Sequence, residues 1–146
     1  MIEIDKNWIA AEPESKYWNR SEFPLQEETG KIIGICMEIH RTLGKGFLEI
    51  VYKDALEYEC KKQFIPYERE KKFEVAYKEI ILPHNFYADF VIFDKVITEI
   101  KSQSGLAEEN YAQLINYLAV SKCPVGLLIN FGEESLRFKR FALTKK

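Results

Sequence analysis

The sequence lacks several features that would assign it to a familiar class of protein. Its 146 residues contain no run of about 18 apolar residues, so no membrane-spanning helix is predicted. The three cysteines are widely separated and form no CxxC pair, which indicates buried thiols in a reducing compartment and argues against zinc or iron–sulfur sites. The net charge of −2 argues against broad, sequence-independent coating of DNA, because such binding needs many phosphate contacts.

Glycine-rich phosphate loops and histidine sites are scarce as well. Gly44 and Gly46 follow no strand and precede no Lys-Ser pair, so we interpret them as the end of a helix. His40 lies close to this turn and is expected to hydrogen-bond backbone carbonyls there, in preference to acting as a general base. The first five residues are acidic where a secretion signal is basic and then hydrophobic, which favours a cytoplasmic protein.

The length is that of one domain with one sizeable core. Residues 1–24 show no helical or strand periodicity and contain Trp8 and Trp18, so we expect an irregular N-terminal arm. Such an arm packs on its own domain or on a second copy of the chain, which makes a homodimer one arrangement to test. Residues 25–146 are expected to form the single folded domain.

Helical spacing of apolar residues predicts three helices. Ile32, Cys36, Ile39 and Leu43 recur at the period of a helix that begins near residue 25 and ends at the glycine turn. Further helices are expected over residues 47–63 and 106–120.

Strand patterns occupy most of the remaining sequence. The predicted strands cover residues 73–77, 80–82, 86–93, 96–101, 124–131 and 136–143, the last of them at an edge. A helix lies between the strands 96–101 and 124–131, so this pair is expected to be parallel, as in a crossover unit. The sequence therefore predicts the α/β class, with a central mixed sheet and helices on both faces.

Charged residues stand inside two of the apolar strand segments. Asp89 lies in the strand 86–93, and Glu99 and Lys101 lie in the strand 96–101. Burial of these carboxylates is costly unless something pairs with them. Mg²⁺ selects carboxylate oxygens and keeps positions open for water and phosphate. The pattern therefore points to phosphodiester chemistry, unless Glu99 and Lys101 form a solvent-facing pair and Asp89 caps a strand end.

The geometry of the hairpin sets a condition on this site. A strict two-residue turn at Asp94 and Lys95 would pair Asp89 with Ile100 and point Asp89 away from Glu99. A three-residue connection, or a bulge near Asp89, brings both acids to one face. We therefore expect an irregular hairpin, and a regular ladder would count against a shared metal site.

The residues Asp89, Glu99, Ile100 and Lys101 resemble the signature of the PD-(D/E)XK nuclease superfamily. The segment Gln113-Leu-Ile-Asn-Tyr117 is similar to the QhxxY pattern of its RecB-like members. The segment Gly46-Phe-Leu-Glu49-Ile-Val-Tyr52 resembles the motif of the GxxExxY proteins, a small prokaryotic branch of that superfamily. The resemblance covers roughly residues 25–146 and implies a restriction-endonuclease-like core.

The resemblance also implies a role for each matching residue. Asp89 and Glu99 would be the main ligands of Mg²⁺ or Mn²⁺, with the Ile100 carbonyl as a further oxygen. Glu49 would complete the shell or position a metal-bound water, although a charged helix residue is also often simply solvated. Lys101 would orient the attacking water and stabilise charge on the phosphoryl oxygens. One metal ion or two would be compatible with three carboxylates.

Substrate contacts are implied for three further residues. Gln113 and Tyr117 would steady the site or contact the nucleic-acid backbone, and Tyr52 lies on the same helix face as Glu49. The expected partner is nucleic acid, with DNA preferred over RNA. The alternative is a catalytically inactive member of the fold, retained as a nucleic-acid-binding or protein-interaction module.

Overall fold

Three helices and eight strands make up residues 8–11 and 23–145, the part of the chain that the structure, a computed structural model, describes. The predicted helix bounds agree with the observed ones to within two residues. None of these helices is long and apolar enough to cross a membrane. In chain order the elements are β1 (Trp8–Ala11), α1 (Gln26–Leu43), α2 (Glu49–Lys62), β2 (Tyr67–Phe73), β3 (Ala76–Tyr77), β4 (Ile80–Ile81), β5 (Phe86–Ile92), β6 (Val96–Lys101), α3 (Glu108–Ser121), β7 (Val125–Asn130) and β8 (Arg137–Lys145).

Six strands form one mixed sheet in the order β1-β8-β7-β6-β5-β2, and β3 pairs with β4 in a separate small hairpin. The strands β6 and β7 are parallel, and every other neighbouring pair in the large sheet is antiparallel. The parallel pair is joined through α3, because a parallel connection needs a crossover element. The predicted α/β class and the predicted parallel pair are therefore confirmed.

Apolar residues cover both faces of the sheet. The helices α1 and α2 pack on one face, where Ile32 and Leu56 meet Ile100 of β6. The helix α3 packs on the other face, where Leu114 meets Ile97 of β6. Successive residues of a strand point to opposite faces, so β6 contributes to both cores and is buried along almost all of its length. This double cover explains why its apolar residues Val96, Ile97 and Ile100 do not alternate strictly with polar ones.

The strand β2 differs from the sequence prediction. A strand was expected over residues 73–77, but β2 ends at Phe73, and only Ala76 and Tyr77 continue as the short β3. The segment Tyr67–Phe73 carries five charged residues between its two aromatic ends, which hides the apolar alternation of a strand. Its position explains this composition, because β2 is an edge strand that pairs with β5 alone.

The opposite edge of the sheet also differs. The strand β8 was expected at the edge, but β1 pairs with it in antiparallel register from Trp8↔Lys145 to Ala11↔Ala142. The arm is therefore not irregular throughout, since residues 8–11 extend the sheet. Residues 1–7 and 12–22, which include Trp18, lie outside the described residues. The homodimer stays a prediction.

A buried amide fixes the chain where β6 ends. The side chain of Asn130 accepts hydrogen bonds from the backbone N–H groups of Gln103 and Gly132, both at 3.1 Å. It donates to the Gln103 carbonyl at 3.0 Å and to the Glu133 carboxylate at 2.8 Å. A Cβ atom added to Gly132 would collide with the backbone of Gln103. The two loops that follow β6 and β7 are therefore locked together at a contact that only glycine allows.

We expect Gly132→Ala to lower the free energy of unfolding by about 2 kcal/mol or more, because backbone atoms in a packed contact yield little. Gly34→Ala is the matched control, since a Cβ atom there meets nothing within 4 Å and lies inside α1. Alanine is favoured over glycine in a helix by about 0.5–1 kcal/mol, so this variant should be slightly stabilised. Urea denaturation measures both, and equal stability of the two variants would contradict the proposed contact.

Candidate functional site

The hairpin of β5 and β6 is irregular in the way that a shared acid site requires. The strands begin to pair at Ile92↔Val96, so residues 93–95 form a three-residue connection. The same register, continued along both strands, brings Asp89 level with Glu99. The expected irregularity of this hairpin is thus confirmed, and the two acids are neighbours across the sheet.

At this level the acid side chains replace the backbone ladder. The backbone N–H of Asp89 donates to Glu99 Oε2 at 2.8 Å, and the backbone N–H of Ile100 donates to Asp89 Oδ2 at 2.8 Å. Each carboxylate therefore accepts a hydrogen bond from the opposite strand. The strands separate just enough to place two acid groups between them.

The strand β2 is distorted at the same level. Glu70 lies between the pairs Arg69↔Phe90 and Lys71↔Ala88, so it stands beside Asp89, and its φ of 52° is rare for a residue with a side chain. Ala88 packs in the core under α3, whereas Phe90 packs in the core under α1 and α2. Residues two apart on a regular strand share a face, so β5 changes face at Asp89.

Lys53 of α2 contacts Asp89 and Glu70 from the face of the sheet that α1 and α2 cover. Its Nζ lies 2.7 Å from Asp89 Oδ1 and 3.2 Å from Glu70 Oε1. The side chains of Lys53 and Asp89 are only 13% and 14% exposed, so water screens their attraction weakly. Burial by itself lowers the pKa of Lys53, but the hydrogen bonds and charges of Asp89 and Glu70 outweigh it and raise that pKa. The amine is therefore a fixed positive charge.

Glu99 is the most strongly perturbed acid of the site. Burial, and then the charge of Asp89, raise its pKa from the ordinary 4.5 to about 9, while the Asp89 N–H and the charge of Lys101 act in the opposite direction. Only 3% of the residue is exposed. A carboxyl group in this position holds its proton at neutral pH unless a further positive charge arrives.

The helix α3 supplies two polar side chains next to the acids. Gln113 Nε2 donates to the hydroxyl oxygen of Tyr117 at 3.2 Å. Burial, and then the charges of Glu99 and Asp89, raise the pKa of Tyr117. Gln113 and Tyr117 also line an open cavity of about 500 Å³ between α3 and the start of β5. The sequence did not predict this cavity, because the QhxxY pattern implied only that Gln113 and Tyr117 steady the site or contact nucleic acid.

Lys101 and Glu49 lie at the periphery of the site. Lys101 is the last residue of β6, is partly exposed, and is close enough to Glu99 to affect its pKa. Glu49 is the first residue of α2 and lies one helical turn before Lys53. The Ser102 hydroxyl donates to the Phe47 carbonyl at 2.7 Å, which ties the start of α2 to the end of β6.

The three acids do not form a ready metal cage. Within residues 8–11 and 23–145, no group of three or more His, Cys, Asp or Glu side chains is arranged to hold a metal ion. Asp89 and Glu99 lie together as expected, but the expected cluster with Glu49 is not assembled, and an amine, Lys53, contacts Asp89. The donor chemistry still fits a hard dication, because two carboxylates meet there and one of them lacks a counter-charge.

The structure corrects the expectation for Tyr52. Its side chain is fully buried, and its hydroxyl donates to the Gly44 carbonyl at 2.6 Å. The ring stacks on Phe131 with centroids 4.4 Å apart. Tyr52 therefore anchors the glycine turn to the core, and its expected substrate contact is wrong. His40 is structural as expected, although its Nε2 pairs with the distant Glu133 carbonyl at 2.9 Å.

Lys53 and Glu70 are the site residues that the sequence interpretation missed. Lys53 follows Glu49 by four residues, which is the spacing that places two side chains on one helix face. That spacing was the available signal. Glu70 gave none, because it is one of five charges in a short edge strand.

We expect the raised pKa of Glu99 to make the metal-free protein less stable as pH rises. The folded chain keeps a proton up to about pH 9 that the unfolded chain releases near 4.5, so this stabilisation is complete below pH 4.5 and is lost towards pH 9. Glu99→Gln mimics the protonated form and should be more stable than the wild type at pH 8, by on the order of a few kcal/mol, and nearly equal at pH 4.

Urea denaturation in EDTA from pH 4 to pH 9 measures this difference. Glu108→Gln is the control, because Glu108 is an exposed acid in the first turn of α3. A constant difference between Glu99→Gln and the wild type across this pH range would contradict the assigned burial.

Comparison with known proteins agrees with this geometry. No curated protein and no solved structure matches the chain. A family model described as the PD-(D/E)XK nuclease superfamily matches residues 26–141, which include every element from α1 to β7 and the first half of β8. The matched residues include Asp89, Glu99 and Lys101. The chain belongs to the PD-(D/E)XK nuclease superfamily.

Proposed function

We propose that this protein is a nuclease that uses Mg²⁺ or Mn²⁺ to hydrolyse phosphodiester bonds, with DNA as its substrate. The observation that carries the proposal is the meeting of Asp89 and Glu99 across an opened strand pair, with Lys101 at the end of the same strand. The superfamily supports nuclease chemistry in general. The metal, the substrate and the GxxExxY branch are parts of the proposal.

A divalent cation fits the electrostatics of the acid pair. Burial and the charge of Asp89 keep a proton on Glu99 at neutral pH, so the pair is short of positive charge. Asp89 and Glu99 would hold the ion, with the Ile100 carbonyl as a further oxygen and Glu49 as the acid closest to solvent. When bound, such an ion lowers the pKa of a coordinated water and neutralises the phosphate.

The remaining residues of the site act on the substrate. Lys101 carries a positive charge at the mouth of the acid pair, where it would orient the attacking water and stabilise the phosphoryl oxygens. Gln113 and Tyr117 would contact the nucleic-acid strand along the cavity of about 500 Å³ beside α3. Their hydrogen bond fixes both side chains before the substrate arrives.

One observation favours a second candidate function. Lys53 already neutralises Asp89, and in the described part of the chain no group of three His, Cys, Asp or Glu side chains is arranged to hold a metal ion. A chain that has lost its activity could use the same fold as a nucleic-acid-binding or protein-interaction module. Metal binding separates the two candidates, because the inactive module has no use for a cation between Asp89 and Glu99.

We expect Asp89→Asn to abolish both Mn²⁺ binding and cleavage of DNA, because it removes the charge of a proposed metal ligand. Asp89 is also the residue that contacts Glu99, Ile100 and Lys53. Lys101→Met should retain Mn²⁺ binding but lose cleavage by about 10²-fold or more, since it removes charge stabilisation alone. Asp94→Asn is the control, because Asp94 is an exposed acid in the connection that follows β5. Calorimetry and cleavage of a labelled duplex provide the readouts.

The outcomes discriminate between the candidates. Absence of Mn²⁺ binding in the wild type would exclude the nuclease and favour the module. Full cleavage by Lys101→Met would mean that the assigned mechanism is wrong even if the metal site is right.

We expect Gln113→Ala to raise the KM for DNA about tenfold while the cleavage rate at saturation stays within about twofold, because Gln113 contacts substrate and not the metal. Gln63→Ala is the matched control, since the side chain of Gln63 donates to Glu59 and lies at the far end of α2. A fall in the saturated rate with unchanged KM would contradict a binding role for Gln113.

A further inference from the structure

The ammonium group of Lys53 occupies a position beside Asp89, the carboxylate that is proposed to bind the metal ion. It contacts Asp89 Oδ1 at 2.7 Å, and Asp89 Oδ2 is occupied by the Ile100 N–H. Both oxygens of this carboxylate are therefore in use. Each oxygen still has a second lone pair for a metal ion, but an ion bound there is repelled by the adjacent ammonium charge of Lys53. The lysine contact is the one that can be given up, because a lysine side chain has four rotatable bonds.

Glu70 offers Lys53 a second acid partner. Lys53 Nζ lies 3.2 Å from Glu70 Oε1, on the side of Asp89 away from Glu99. Glu70 is about half exposed, whereas Asp89 is mostly buried, so a lysine that moves towards Glu70 also moves towards solvent. The backbone of Glu70 takes a positive φ at this point, which costs energy and persists only where the surrounding structure enforces it.

We propose that Lys53 and Glu70 together set the affinity of the site for a divalent cation. In the metal-free protein Lys53 neutralises Asp89. When the ion binds, Lys53 leaves Asp89 and keeps Glu70 as its partner. Lys53 is thus a positioning residue that competes with the metal, and Glu70 receives the displaced amine. This inference rests on the proposed metal site at Asp89 and adds the residue pair that regulates it.

The two residues should have opposite effects on metal affinity. Removal of Lys53 removes a competitor, so Mn²⁺ should bind about tenfold more tightly, within the usual range of coupling between two sites. Removal of the Glu70 charge leaves the displaced amine without an acid partner, so Mn²⁺ should bind several-fold more weakly. If Glu70 acts through Lys53, its removal should have little effect once Lys53 is absent.

The test is calorimetric titration of Mn²⁺ into four variants of the full chain, namely Lys53→Met, Glu70→Gln, the double variant and Lys62→Met. Methionine keeps the apolar stem of lysine and removes the charge. Lys62→Met is the matched control, because Lys62 lies nine residues further along α2, about 13 Å along the helix axis. Its affinity for Mn²⁺ should equal that of the wild type.

Thermal unfolding gives a second readout that needs no activity. In EDTA, Lys53→Met should melt below the wild type, because Asp89 loses its partner, and saturating Mn²⁺ should restore most of the loss. Glu70→Gln keeps Lys53 on Asp89 and tests the proposal even if Lys53→Met does not fold. A lower Mn²⁺ affinity for Glu70→Gln that is absent in the double variant supports the proposal.

Three results would overturn it. Equal Mn²⁺ affinity of the wild type and Lys53→Met removes the competition while leaving the metal site intact. A fall in the DNA cleavage rate of Lys53→Met at saturating metal assigns Lys53 to the phosphate instead. Absence of Mn²⁺ binding in every variant removes the metal site itself, and with it the proposed nuclease.

Discussion

Two carboxylates meet inside this fold, and the sheet opens to hold them. Burial of one acid is costly, and burial of a second acid beside it adds repulsion to the loss of solvation. The chain limits this cost by local means. Backbone N–H groups of Asp89 and Ile100 donate to the acids across the strands, and Lys53 supplies one positive charge from α2. Burial, and then the charge of Asp89, still raise the pKa of Glu99, and the charge of Lys101 does not offset them.

Other elements of the fold position the residues around the opened strand pair. The helix α2 brings Lys53 and Glu49 from one side of the sheet, and α3 brings Tyr117 from the other. The end of β6 is fixed twice, by the Asn130 amide that holds the loop after it and by the Ser102 hydroxyl that binds the start of α2. A site built on elements that are fixed in this way keeps its acids in place despite their repulsion.

Sequence patterns predicted the framework because the framework follows from apolar periodicity. The helical spacing of Ile32 and Cys36 predicted a helix, and the nearly continuous apolar run of β5 predicted a central strand. The site depends on the number of residues in the hairpin connection, because Asp89 and Glu99 can share a face only if that connection carries an extra residue. For Lys53 the spacing of four residues from Glu49 was a weak signal, because a lysine on the flank of a helix has the same pattern whether it meets water or a buried acid.

The charge of the molecule bears on how the proposed metal ion and the proposed nucleic-acid substrate would affect each other's binding. A net charge of −2 gives the molecule as a whole little electrostatic attraction for a polyanion such as DNA. At the site, Lys53 neutralises Asp89 and burial keeps a proton on Glu99, so the proposed dication would add positive charge there. In the proposed nuclease, metal and nucleic acid would therefore bind cooperatively, and by linkage each would tighten the binding of the other by the same factor. In the proposed exchange Lys53 keeps Glu70 as its partner when the metal ion binds, so its charge stays neutralised and the charge gained at the acids comes from the dication.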